Sequence, residues 1–200
     1  MKIAVFISGN GSNLQAMIDA IEDRALDAEI VCVISSNLKA GGIQRAEDHG
    51  IPVMAMDKFN YENPEFADSK ILDFLRVKDA EYIVMAGYMR MITKCLLDAY
   101  PNKILNIHPA LLPSFKGAHA IKDAWEAGVK VTGVTIHFAN EDYDEGPIIA
   151  QRAVPVLESD DIYSLEARIH EVEHDLYVEV LQQLSVNRIT LKNNRVSIEE

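Results

Sequence analysis

The chain has 200 residues, 48% of them hydrophobic, and a net charge of −12 from 31 acidic against 19 basic residues. That length and apolar content suit one domain with a sizeable core, and the charge argues against nucleic acid as a partner. No apolar run approaches the ~20 residues of a membrane span, and Cys32 and Cys95 give neither a disulfide framework nor a metal spacing, so a reducing, cytoplasmic setting is expected.

The chain opens with KIAVFI (2–7), a short apolar run ending in glycines, which reads as a first strand and not as a signal peptide. SNLQAMIDAIEDR (12–24) has helical spacing, and AEIVCVIS (28–35) returns to strand. GIQRAEDHG (42–50) predicts a helix, IPVMAM (51–56) a strand, PEFADSKILDFLRVK (64–78) a helix and AEYIVMAGY (80–88) a strand. KILNI (103–107) adds a fifth strand. This alternation predicts an open, mostly parallel, doubly wound α/β sheet. After residue 119 the rhythm changes. A short helix (120–128) precedes VTGVTIHFA (131–139) and GPIIAQRAVPV (146–156), whose short connection predicts an antiparallel pair. A final helix is predicted from Asp161, with Ile162, Leu165, Ile169, Val172, Leu176 and Val180 on one face. The expected organisation is one domain over 1–200: a phosphate-binding half (1–100), a catalytic half (101–187) and a polar, peripheral tail (188–200).

Ligands of such sheets sit beyond the carboxyl ends of the strands. That makes neighbours of SGNGSN, GYMRMI, NIHPALLP and the ANEDYDEG loop. In SGNGSNLQ (8–15), Gly11, Ser12 and Asn13 can cradle a phosphate on free N–H groups; equally, Ser12 and Gln15 can form a capping box. No Gly-Lys-Ser/Thr follows, and Leu14 stands where a dinucleotide fingerprint needs its third glycine, so a phosphate monoester suits the loop better than NAD. In NIHPALLP (106–113), Asn106 and His108 lie where the strand ends, stiffened by Pro109 and Pro113. Asp144, in EDYDEG, could orient an imidazole or could belong to a solvated acidic loop. Arg90 could bind a carboxylate or only cap the sheet. His119 and His137 are candidates for supporting roles. From Leu157 onward ten acidic residues face four Lys or Arg, so local geometry has to hold an anionic substrate.

HEVEH (170–174) matches H-E-x-x-H, which opens a zinc hydrolase reading. No convincing third ligand follows: Glu179 lies further along the same helix, and Glu199 and Glu200 are in the tail. A phosphate-binding module without catalysis is the third alternative.

Taken together, SGNGSNLQA (8–16), AGYMRMI (86–92), ILNIHPALLPSFKGAHA (104–120), GVTIHFANEDYDEGPIIAQ (133–151) and the HEVEH helix resemble the folate-dependent formyltransferases. Among them the sequence is most similar to the phosphoribosylglycinamide formyltransferases, in motif order over about residues 1 to 180. The tRNA formyltransferases carry an extra C-terminal domain for which this chain has no room. The formyltetrahydrofolate deformylases carry an N-terminal one, whereas strand one here starts at Lys2; a deformylase-like hydrolase stays as the alternative.

The resemblance implies roles. Gly11, Ser12, Asn13, Leu14 and Gln15 would hold a ribonucleotide phosphate, and His170, Glu171, Val172 and Glu173 the glycinamide end. Met89, Arg90, Met91, Ile92, Asn106 and the loop Asn140, Glu141, Asp142, Tyr143 and Asp144 would hold 10-formyltetrahydrofolate, with Leu97 lining an apolar pterin pocket. Asn106, His108 and Asp144 would be catalytic, and no metal is needed because folate already activates the formyl group. Two departures stand out: Ala110 replaces the usual serine of NIHPSLLP, and NYENPEFAD lacks the basic residue common near the start of the third helix. A cis Leu112–Pro113 bond is also expected.

Overall fold

The computed structural model describes residues 1–199. A seven-stranded sheet runs in the order β3-β2-β1-β4-β5-β6-β7. Its strands are β1 (Lys2–Ile7), β2 (Glu29–Ser35), β3 (Val53–Ala55), β4 (Tyr82–Met85), β5 (Ile104–His108), β6 (Val131–Phe138) and β7 (Ile148–Pro155). The first five are parallel. β6 pairs antiparallel with both β5 and β7, so the expected antiparallel pair is one half of a longer antiparallel edge.

The helices are α1 (Ser12–Glu22), α2 (Gly41–Asp48), α3 (Pro64–Val77), α4 (Lys94–Ala99), α5 (Ala120–Glu126) and α6 (Ile162–Ser185). They leave an apolar cluster on each face of the sheet. One collects α1, α2 and α6 through Leu14, Met17, Ala46, Leu165, Ile169 and Leu176; the other packs Ile71 and Leu75 of α3 and Leu96 of α4 under Phe6, Ile83 and Ile104. Continuous apolar runs such as KIAVFI are what a strand covered on both faces requires. α6 is fixed at its start by a capping box between Asp161 and Ser164. In its middle the hydroxyl of fully buried Tyr177 is shared between the carbonyls of Met85 and Leu105 at 3.0 and 3.2 Å, which ties α6 to β4 and β5.

Several elements differ from the sequence reading. α4 was not expected; at six residues it is too short to show a periodic face. The tail is a hairpin, β8 (Ile189–Lys192) and β9 (Arg195–Ile198), turning at Asn193 and Asn194. Both asparagines have positive φ, the geometry of a tight hairpin turn. No capping box forms at Ser12. Gly11 is the N-cap with φ +79°, so the helix begins at Ser12 itself, and Gln15 turns to Asp19 and Arg45. The Leu112–Pro113 bond is cis.

Strand order reverses between β1 and β4, and the site lies beyond their carboxyl ends.

Candidate active site

Two concavities meet there. A cleft of about 270 Å3 is walled by Gly9–Asn13, by Gly87 to Met89, by Asn106 to Pro109 and by His170 and Glu173. A narrower crevice beside it is walled by Arg90, Met91, Ile92 and the whole 139–144 loop. Asn106 and Tyr143 belong to both.

The first cleft has an anion-ready floor. Starting α1 at Ser12 leaves its first-turn N–H groups without intrahelical acceptors, turned toward the cleft. Gly11 is required twice over. Its left-handed φ favours glycine, and a Cβ there would stand 2.6 Å from the Cα of Gly42 in α2. Asn13 donates from Nδ2 to Glu173 Oε2 at 3.0 Å, and His170 Nδ1 meets the same oxygen at 2.9 Å. The hydrogen bond to Glu173 raises the His170 pKa against the opposing effect of burial. Asn13 Oδ1 is buried without a partner, an acceptor left over for a ligand donor. Leu14 is wholly buried in the core, Glu171 is exposed and Val172 packs on the core, so none of these side chains walls the cleft; nor does Gln15.

Between the two concavities stands a buried polar cluster. β5 delivers Asn106 and His108 on one face, two residues apart. The antiparallel register of β5 and β6 sets His137 opposite Asn106. Asp144 arrives from the loop with φ +55°, a left-handed conformation that aspartate tolerates, and Gly146 behind it is pressed against the Phe138 carbonyl, where a Cβ could not fit. Asp144 Oδ2 accepts the Gly117 N–H at 2.9 Å and lies 3.3 Å from His108 Nδ1. Its Oδ1 faces Asn106 Nδ2 at 3.5 Å and His137 Nε2 at 3.7 Å. Burial pushes the Asp144 carboxyl up, but His137, the Gly117 N–H and His108 outweigh it and hold the group below the usual carboxylate range.

His108 Nε2 meets the Phe115 carbonyl at 2.7 Å. The ring therefore has the Phe115 carbonyl at one nitrogen and the Asp144 carboxylate within ion-pair distance of the other. His137 is arranged differently: Nε2 accepts a hydrogen bond from Asn106 Nδ2 at 3.2 Å, while Nδ1 donates to its neighbour's carbonyl, that of Phe138, at 3.0 Å. The platform beneath is stitched by one hydroxyl. Thr135 Oγ1 donates to the Ala110 carbonyl and accepts from the Leu112 N–H and Gln151 Nε2. Ala110 is fully buried, so only a small side chain suits that position.

Of the residues read from sequence, Asn106, His108 and Asp144 come together, with His137 against them. Arg90, Met91, Ile92 and residues 140–144 wall the crevice, while Met89 walls the cleft instead and donates its N–H to Ser8 Oγ at 2.8 Å. Leu97, on α4, packs half-buried against the core and does not line the crevice. His119 is the exposed N-cap residue of α5 and touches none of the cluster. Sequence reasoning missed the Gly117 N–H and the Phe115 carbonyl, backbone groups that carry no residue-type signal, and Ser8, whose hydroxyl joins β1 to the 86–89 segment. Among the described residues no group of three His, Cys, Asp or Glu is placed to hold a metal, and no helix is long and apolar enough to cross a membrane.

The comparisons with known proteins agree with this geometry. The family model for formyl transferase matches residues 1–181. The chain is 44% identical to a phosphoribosylglycinamide formyltransferase of Bacillus subtilis over 183 residues, 92% of this chain and 94% of that one. Its structure is similar to glycinamide ribonucleotide transformylase 1 of Symbiobacterium toebii, with a TM-score of 0.96, 40% identity, and coverage of 100% of this chain and 94% of the other. A formyltetrahydrofolate deformylase of Pseudomonas syringae pv. tomato matches at a TM-score of 0.92 and 27% identity, with all of this chain covering 66% of that one. With its matched region running from the first strand through the HEVEH motif, the chain belongs to the formyl transferase family.

Proposed function

We propose that the chain transfers the formyl group of 10-formyltetrahydrofolate to the amine of glycinamide ribonucleotide, a step of purine biosynthesis, in the cytoplasm. The observation that carries this reading is the shared wall: an anion-ready cleft and a mostly apolar crevice meet at Asn106, beside His108 and Asp144. A ribonucleotide in the cleft lays its phosphate on the N–H groups of Gly11 to Asn13. Glu173 and the orphaned Asn13 Oδ1 accept from its donor groups. Because Glu173 is bonded to Asn13, it stands at the phosphate end, nearer the ribose hydroxyls than the glycinamide amine. The folate enters the crevice against Met91, Ile92 and residues 140–144, with Arg90 at its rim.

The amine nitrogen attacks the formyl carbon, a C–N bond forms, and the carbonyl oxygen becomes an oxyanion. Asn106 Nδ2 and His108 Nε2 are its donors, and one such donor is worth about 2.7–4 kcal/mol. His108 reaches it by exchanging its bond to the Phe115 carbonyl for the developing charge, while Asp144 keeps the ring oriented. Collapse of the intermediate breaks the bond to folate nitrogen, which leaves with a proton as the product amine loses one. No step calls on a metal.

The test is incubation with both substrates while following tetrahydrofolate release. Release that needs the ribonucleotide supports the proposal. Equal release without it makes the chain a deformylase, and no release leaves a binding module.

Two further results are expected. Gly11→Val should raise the KM for the ribonucleotide at least about tenfold, because the new side chain drives backbone against backbone at Gly42 and displaces the N–H cradle. The KM for formyl folate should stay within about threefold, which also separates this effect from general misfolding. Purified protein should hold no stoichiometric zinc, and a chelator should leave turnover intact, since His170 of HEVEH is engaged with Glu173. One zinc per chain, with activity lost on chelation, would restore the hydrolase reading.

A further inference from the structure

Arg90 is the one Lys or Arg among the residues walling the crevice, and it shares those walls with Glu141, Asp142 and Asp144. Even so, its guanidinium forms no ion pair with any carboxylate among the described residues. What holds it is an aromatic face: the guanidinium carbon lies 4.7 Å from the centroid of the Tyr61 ring. Other cations of the region are committed elsewhere. Lys94 pairs with Asp98 and Glu141, while Lys58 and Lys70 lie over the rings of Phe59 and Phe66.

Tyr61 is itself fixed from below. It sits in the 3-10 turn Asn60–Glu62, buried, and its hydroxyl bonds that of Tyr88 at 2.7 Å. Tyr88, also buried, packs edge-to-face on Phe6 of β1, with centroids 5.1 Å apart. The guanidinium therefore rides on a chain of contacts, Tyr61 hydrogen-bonded to Tyr88 and Tyr88 packed on Phe6, rooted in the central strand. The far end of the Arg90 segment is pinned as well, by the Thr93 N–H donating to buried Asp68 at 2.6 Å.

We propose that Tyr61 is a positioning residue for the formyl donor: its ring holds the Arg90 guanidinium clear of the neighbouring acids so that it can take a carboxylate of the donor's glutamate moiety. The proposal rests on the crevice being the folate site. A flexible arginine beside Glu141 and Asp142 would collapse onto them and lose its value to an incoming anion. A stacked guanidinium keeps its N–H edge free and has less freedom left to lose on binding. With no basic residue in NYENPEFAD, this one cation carries the anionic contact of the rim.

The test compares two formyl donors, 10-formyltetrahydrofolate and 10-formyltetrahydropteroate, which lacks the glutamate. Tyr61→Leu should raise the KM for the first donor roughly fivefold, with kcat and the KM for the ribonucleotide unchanged. The KM for the second donor should not move. Tyr61→Phe keeps the ring and should restore the wild-type KM even where it lowers Tm through the unpaired Tyr88 hydroxyl. Tyr61→Met, bulky but not aromatic, should behave as Tyr61→Leu and serves if that variant fails to fold. In an Arg90→Ala background neither change should add to the KM. An equal rise for both donors, a fall in kcat alone, or no change for either would overturn the proposal. Absence of ribonucleotide-dependent transfer in the wild type would instead count against the proposed function.

Discussion

Asp144→Asn is expected to lower kcat by at least about a hundredfold while leaving the KM of each substrate within several-fold. The geometry explains why so small a change should matter. The Asp144 carboxylate accepts from the Gly117 N–H at one oxygen, with His108 Nδ1 beside it, and from Asn106 Nδ2 at the other. An asparagine must turn its own NH2 toward one of these sets. Either way one of the two donor sets loses its acceptor in a buried site, and the ring of His108 loses its charged partner. His108→Ala should cost a similar factor, and the double variant should be little worse than the worse single one, because the two groups act as a unit.

The pH dependence has a definite sign. Asp144 is held below the usual carboxylate range, so in the folded protein it stays ionised to a lower pH than a free side chain would. It therefore adds to stability above the ordinary carboxylate value, and that contribution is lost as pH falls through the lowered folded value. Wild-type Tm should fall through this window, and Asp144→Asn should show a shallower fall because its amide does not titrate. Near-normal turnover in Asp144→Asn would show that EDYDE is only a solvated loop.

Asn106→Ala is expected to lower kcat by about 10²–10³ with the pH profile unmoved, since an amide does not titrate. Asn106 walls both concavities, so its loss removes an oxyanion donor at the point where the substrates meet. It also strips His137 Nε2, in a ring that is 2% exposed, of its donor. An unpaired buried group costs about 1–3 kcal/mol, so Tm should fall as well. Measuring kcat, both KM values and Tm separates the two effects. Restoring Tm with a stabilising surface change should leave kcat low; recovery of kcat along with Tm would make Asn106 a structural residue only.

The sequence by itself determined the strands and long helices, because their signal is local. KIAVFI reads as a two-face-covered strand without knowledge of its neighbours, and the α6 stripe Leu165, Ile169, Leu176 and Val180 is a periodicity that packing then obeys. It also fixed which loops could meet, since strand direction places SGNGSN, GYMRMI and NIHPALLP at one sheet edge. Short or turn-driven pieces escaped: α4 spans less than two turns, and the tail hairpin is signalled only by Asn193-Asn194.

What only the tertiary structure decided are the relations between distant residues. His137 supports Asn106 because the β5–β6 register sets them opposite each other, whereas His119, equally plausible as a letter, is an exposed residue at the start of α5 with no side-chain capping bond. Ser12 was spared a capping role because Gly11 could take the left-handed turn that starts α1 one residue early. Asp144 finds Gly117, and Arg90 finds Tyr61, across 27 and 29 residues of chain. Sequence spacing cannot encode such contacts: they follow from strand order, register and loop closure, which are settled by burying two apolar faces of one sheet at once.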